Sequence, residues 1–136
     1  MNNKTPENQL EALVQRDSRY TVEAYFFLRE ALDYTVRSLD KPRHVSGQEL
    51  LDGIRKYALS EFGPITRRVL SEWGIHACID FGNLVFNLVE EGLLGKTEED
   101  SIEDFTPGYD FEAAFIEPFR ATKPKRKEEK KSVDVI

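Results

Sequence analysis

Hydrophobic positions recur at helical spacing along most of the chain and divide it into five helical segments. Leu10, Leu13 and Val14 follow Thr5-Pro6-Glu7, a helix start. Thr5 caps, Pro6 suits the first helical position, and Glu7 lies at the positive end of the helix. Over residues 20–39, Tyr25, Leu28, Leu32 and Leu39 fall near one face. Phe26, Phe27 and Val36 widen that face, which predicts burial against more than one neighbour. Pro42 breaks the pattern, so residues 40–45 read as a loop. Ser46-Gly47-Gln48-Glu49 has the form of a capping box, and the helix it opens runs to Glu61 or Phe62 with Leu50, Ile54, Tyr57 and Leu59.

Gly63 stops that helix and Pro64 opens the next element, a short helix over residues 65–73 carrying Val69, Leu70 and Trp73. After Gly74 and a brief connection, Asp80 is the expected N-cap of a helix over residues 81–91, rich in Phe81, Leu84, Phe86 and Leu88. Gly92 ends it. Residues 95–103 read as an acidic, polar turn. Residues 102–105 and 109–111 read as two short strands paired across Thr106-Pro107-Gly108. Beyond Phe119 the apolar pattern stops, and residues 120–136 read as a disordered basic tail. The expected fold is mainly α with a small β-hairpin, a single compact helical domain over residues 1–119.

A chain of 136 residues with nine Phe, five Tyr and one Trp has enough large apolar surface for one folded core. Its single cysteine, Cys78, has no disulfide partner within the chain and reads as a small buried thiol. No apolar run follows the first residues as in a signal peptide, no stretch is long enough to span a bilayer, and no amphipathic face suits a membrane surface. The expected location is cytoplasmic. Charge is divided unevenly. Residues 1–119 hold twelve Lys/Arg against twenty-two Asp/Glu, and residues 120–136 hold seven against three. The acidic body repels a phosphate backbone by default.

The order of elements from residue 48 to about 115 resembles a winged helix-turn-helix. The resemblance is carried by Val69-Leu70-Ser71-Glu72-Trp73-Gly74-Ile75 and by the segment from Asp80 to Glu90-Glu91-Gly92-Leu93-Leu94. DNA binding does not follow from it. The helix after Asp80 has no Lys or Arg to reach base edges, and the expected wing is acidic. The segments Arg43-His44-Val45-Ser46-Gly47-Gln48-Glu49-Leu50, Trp73-Gly74-Ile75 and Val85-Phe86-Asn87-Leu88-Val89-Glu90 are also similar to a family of short, uncharacterised bacterial proteins. That resemblance spans most of residues 20–115. It implies one compact domain and brings no catalytic residues with it.

Candidate chemistry is sparse. Arg43 and His44, in a loop before a capped helix, suit an anion or a partner carboxylate, or else serve local pairing and packing. Asn83 and Asn87 are four apart and present amides on one helix face, to a partner or at its solvent edge. His76 and Cys78 lack the further ligands a metal needs and the orienting group a nucleophile needs. Asp80-Phe81-Gly82 copies a kinase metal-binding triplet without a Gly-rich phosphate loop, and a helix-capping role suits Asp80 better. Glu90-Glu91 and Glu98-Glu99-Asp100 read as solvated carboxylates. In the tail, Lys123, Lys125, Arg126, Lys127, Lys130 and Lys131 suit weak phosphate attachment but have no aromatic residue to stack on bases. No catalytic residue, metal site or cofactor is expected. The expected function is non-catalytic: binding of a protein partner through the helical core. The alternative is a nucleic-acid- or ribosome-associated factor held by the tail.

Overall fold

The computed structural model describes residues 5–97 and 100–120. Among them are five α-helices: α1 (Pro6–Arg16), α2 (Val22–Arg37), α3 (Gly47–Phe62), α4 (Thr66–Glu72) and α5 (Cys78–Glu90). Thr5 Oγ1 accepts from the Asn8 N–H at 3.1 Å, so α1 starts where the sequence predicts. The capping box of α3 is closed in both directions: Ser46 Oγ accepts from the Glu49 N–H at 3.1 Å, and the Glu49 carboxylate accepts from the Ser46 N–H at 2.9 Å. α4 and α5 end alike. Gly74 (φ 93°) and Gly92 (φ 77°) take the left-handed conformation, and Ile75 and Leu93 donate back to the carbonyls of Leu70 and Leu88 at 2.9 and 2.8 Å. At Gly74 a side chain is barred twice, because its Cβ would lie 1.9 Å from the Arg19 carbonyl oxygen.

The core lies where α2, α3 and α5 meet, and buries Tyr25, Leu28, Ala31, Ile54, Phe81 and Leu84. α2 and α3 approach closely at Gly53, where a Cβ would sit 1.8 Å from Thr35 Oγ1. Thr35 lies flat against that bare backbone because its hydroxyl donates to the Ala31 carbonyl at 2.7 Å, leaving no unmet polar group in the contact. At one end of the pair, the Phe27 ring packs among Tyr57, Phe62 and Trp73, with centroids 5.7, 5.8 and 5.7 Å away. α1 buries Leu10 and Leu13. It is also tied to the end of α5, where the Gln9 amide donates to the Glu91 carbonyl at 2.8 Å and Arg16 reaches Glu90 and Glu91 at 3.2 and 3.4 Å.

Two expectations are corrected. The first is the hairpin. Ile102–Phe105 forms a 3-10 turn, Glu112–Ile116 a π-helical turn and Glu117–Phe119 a further 3-10 turn, with no strand among the described residues. Without a wing, the structure lends no support to the winged helix-turn-helix resemblance. The reason is local capping. The Ser101 N–H donates to Asp104 Oδ2 at 3.0 Å while Ser101 Oγ accepts from the Glu103 N–H at 3.2 Å, and Asp110 takes the Ala113 N–H at 3.0 Å. Phe105 and Phe111, the last residues of the two expected strands, are buried in the core with Phe115. Phe105 fills the space left by two helix glycines, since a Cβ at Gly47 or Gly82 would lie 3.2 or 3.0 Å from its ring.

The second correction concerns Asp80. α5 starts at Cys78 with Ala77 as its cap residue, and Asp80 sits one turn inside. Its carboxylate reaches back to accept from the N–H groups of His76 and Ala77 at 2.8 and 3.1 Å, the amides that lead into the helix, where an N-cap at this position would take amides further on. Arg120, assigned to the tail by sequence, pairs with Glu112 and with Glu117 at 3.0 Å. The predicted disorder of the tail falls on residues 121–136, outside the described residues. No helix among the described residues is long and apolar enough to cross a membrane.

The Gly53 contact makes a direct prediction. Gly53→Ala drives a methyl group into Thr35, whose backbone is fixed in α2, and is expected to destabilise the protein by about 1–3 kcal/mol, the usual cost of overpacking. Urea denaturation against the unsubstituted protein measures it. An unchanged or higher midpoint would show that the helices separate freely here, as alanine is otherwise the better helix former.

Candidate functional site

The loop before α3 places Arg43 and His44 at the surface, and each is engaged within the chain. Arg43 forms a fork on Glu49, Nη1 to Oε1 at 3.1 Å and Nη2 to Oε2 at 2.8 Å, and Nη1 also donates to the His44 carbonyl at 2.9 Å. The Arg43 guanidinium, with the Ser46 N–H, lowers the Glu49 pKa from 4.5 to about 2. Arg43 therefore clamps the capping box. His44 Nε2 lies 2.8 Å from Asp100 Oδ2, which also accepts from the Thr97 N–H at 2.8 Å. Burial works to raise the Asp100 pKa, but the Thr97 amide and the His44 imidazole outweigh it and hold the carboxyl below its ordinary value. Behind this pair lies a cavity of about 80 Å³ with Leu32, Leu50, Val85, Phe86 and Phe105 in its lining.

Asn83 and Asn87 face inward, toward the segment that leads into α2. The Asn83 amide donates to the Tyr20 hydroxyl at 2.9 Å, and that hydroxyl donates to Asp80 Oδ1 at 2.5 Å. The Asn87 amide donates to Asp17 Oδ2 at 2.9 Å and to the Tyr25 hydroxyl at 3.0 Å. Arg19 grips both oxygens of Asp17 at 2.8 and 2.7 Å, and its guanidinium carbon stands 5.1 Å from the centre of the Tyr20 ring. The Arg19 guanidinium, with the Asn87 amide, holds Asp17 well below the usual carboxylate range against an opposing effect of burial. Burial, reinforced by Asp80, pushes the Tyr20 phenol up. Together these residues stitch α5 to the start of α2.

The remaining sequence candidates do not converge. Cys78 is buried with its thiol 3.5 Å from the Tyr109 carbonyl, and burial raises its pKa, the opposite of an activated nucleophile. His76 is exposed. Glu90 and Glu91 hold Arg16. Among the described residues no group of three or more His, Cys, Asp or Glu is placed to hold a metal ion. Lys123, Lys125, Arg126, Lys127, Lys130 and Lys131 lie outside the described residues, as do Glu98 and Glu99.

One further feature was not singled out from the sequence. A groove of about 590 Å³ runs between α1 and α2, with Leu10 and Val14 on one wall and Val22 and Phe26 on the other. Phe26 is 52% exposed, although the neighbouring Tyr25 and Phe27 are buried. Helical geometry explains the contrast. Ala24, Leu28, Ala31 and Thr35 form the buried face of α2, and Val22 and Phe26, four residues apart, fall on the opposite side. Glu7 and Glu11 border the groove on α1. From the sequence, Phe26 counts toward the widened apolar face of this helix; the structure corrects that, because the stripe it buries runs through Ala24, Leu28, Ala31 and Thr35 and leaves Val22 and Phe26 on the far side. No family model, curated protein or solved structure matches the chain.

Two predictions follow from this geometry. The Glu49 pKa is depressed in the folded protein, so its charge stabilises above the ordinary value of 4.5 and is lost as pH falls toward about 2. Glu49→Gln is therefore expected to lower the urea midpoint at pH 7, with the gap closing between pH 4.5 and about 2. A gap that persists at pH 2 would assign the effect to shape rather than charge. Asn87→Ala removes donors to Asp17 and Tyr25 and is expected to cost about 2 kcal/mol, in the range of a hydrogen bond to a charged group. Chemical denaturation reads it, and an unchanged stability would mean that Asn87 is free to serve an outside partner.

Proposed function

We propose that the chain is a non-catalytic cytoplasmic interaction module that binds a protein partner through its helical core. The observation that carries this reading is the α1–α2 groove, where Phe26 stands half-exposed beside Leu10, Val14 and Val22. A contiguous apolar surface of this kind is a liability for a chain that works alone and an asset for one that docks. The state of the polar side chains supports the non-catalytic part. Glu49, Asp17, Asp80 and Asp100 are occupied in caps and clamps, and the Cys78 thiol is raised by burial. The Arg43–His44 loop joins a partner surface only if the partner supplies groups that replace Glu49 and Asp100.

The competing reading is nucleic-acid or ribosome attachment through the Lys/Arg residues of the tail. It rests on sequence alone, and the acidic body opposes it.

Site-specific photocrosslinking in cells distinguishes the two. A benzoylphenylalanine replacing Phe26 is expected to give a discrete protein adduct that survives nuclease digestion. The same group replacing Lys56, on the exposed side of α3, should give none. Adducts that disappear on nuclease treatment would favour the nucleic-acid reading. No adduct at position 26 above that at position 56 would remove the groove reading.

A further inference from the structure

We infer that the α1–α2 groove takes a basic amphipathic helix of the partner protein, with its apolar face on Val14, Val22 and Phe26 and its Lys or Arg side chains against Glu7 and Glu11. This rests on the reading of the groove as a docking site and adds the chemical class of what docks there. Charge is the first argument. Glu7 and Glu11 lie one turn apart on α1, and no described cation forms an ion pair with either. Among the described residues no Lys, Arg or His lines the groove. Many other carboxylates of the chain already hold a cation or a capping N–H, whereas Glu7 and Glu11 hold no cation among the described residues. The described residues carry twelve Lys/Arg against twenty Asp/Glu, and that excess draws a cationic segment from a distance.

The second argument is spacing. Val22 and Phe26 are four residues apart, so the α2 wall offers apolar contacts at the interval of one helical turn, and Val14 faces them from α1 with the largely buried Leu10 one turn before it. A helix repeats its own side chains at that interval and so meets Val22 and Phe26 in register with Val14 opposite. No strand edge is present among the described residues to recruit an extended peptide by backbone pairing. A second copy of the chain fits poorly, because a twofold contact through this groove sets Glu7 and Glu11 beside their own equivalents. A nucleic acid fits worst, since its phosphates would meet the same carboxylates.

The experiment titrates the full ¹⁵N-labelled chain with three synthetic helical peptides and follows amide shifts. One peptide has leucines on one face flanked by lysines. The second has glutamates in place of the lysines. The third keeps the lysines and replaces the leucines with serine. The lysine–leucine peptide is expected to shift the amides of Leu10, Val14, Val22 and Phe26 and to bind at least tenfold more tightly than either control. Phe26→Ser is expected to weaken it at least tenfold with the thermal midpoint unchanged. Glu7→Lys combined with Glu11→Lys is expected to transfer the preference to the glutamate peptide.

Equal binding of the lysine and glutamate peptides would overturn the basic class while leaving the groove as a docking site. Equal binding of the serine peptide, or shifts elsewhere, would reduce the effect to diffuse charge attraction and overturn the inference. Shifts at the groove that grow with protein concentration alone would name a second copy as the occupant and overturn it as well. If no peptide binds, the inference falls, and the crosslink from position 26 still decides separately whether the groove docks a protein.

Discussion

The distance between α2 and α3 is set at Gly53, where the absence of a side chain lets Thr35 rest on helix backbone. Much else depends on that approach. With the two helices this close, Phe27 reaches Tyr57, Phe62 and Trp73 in one aromatic cluster, and Ile54 and Leu28 share a core with Phe81 and Leu84 on α5. The same approach commits the face of α2 that carries Ala24, Leu28, Ala31 and Thr35. A helix has one circumference to distribute, so the residues opposite that face cannot also enter the core. Val22 and Phe26 are those residues, and α1 covers them only in part. The exposed groove is in this sense a geometric result of the tight contact on the other side of the same helix.

Polar side chains do a second kind of work, holding segments that the apolar core does not reach. Arg43 braces Glu49, which caps α3; Asp80 caps α5 from within and holds Tyr20; Asn87 ties Asp17 and Tyr25 to α5. Most of the surface ion pairs are individually weak. The value of these contacts lies in position, since each sits at a helix end or a crossing where backbone donors would otherwise go unmet. An acidic chain spends many of its carboxylates in this way, and the ones it does not spend are correspondingly conspicuous.

How far the sequence could be read depends on the range of the interaction. Thr5, Ser46 with Glu49, Gly63, Gly74 and Gly92 act on residues a few positions away, and the helices they bound are those that periodicity predicts. Asp80 misled because an acidic residue near a helix start suits either role: as N-cap it accepts from amides that follow it, and as the third residue of the helix it accepts from amides that precede it, as Asp80 does. Ser101 and Asp104 repeat the spacing of Ser46 and Glu49, but the short segments on either side of Thr106-Pro107-Gly108 suggested paired strands, and only the core that Phe105 and Phe111 enter shows otherwise. The polar candidates were legible as residues and not as contacts. Arg43 meets Glu49 six positions on, whereas the partners of Asn83 and Asn87 lie more than sixty positions upstream. The groove needed the crossing of α1 over α2, which no single-helix pattern contains.

The seat of Phe105 has a bearing on how chains of this kind can diverge. One aromatic ring occupies the hollows above two glycines that belong to different helices, Gly47 at the start of α3 and Gly82 in α5. A methyl group at either glycine crowds the ring, and a small residue at 105 leaves both hollows empty. No single substitution at any of the three improves the fit, so the route to a different residue at one passes through compensating change at another. In a set of related sequences these positions are expected to vary jointly, and their joint pattern would mark the segment after α5 as an original part of the domain rather than a later extension of it.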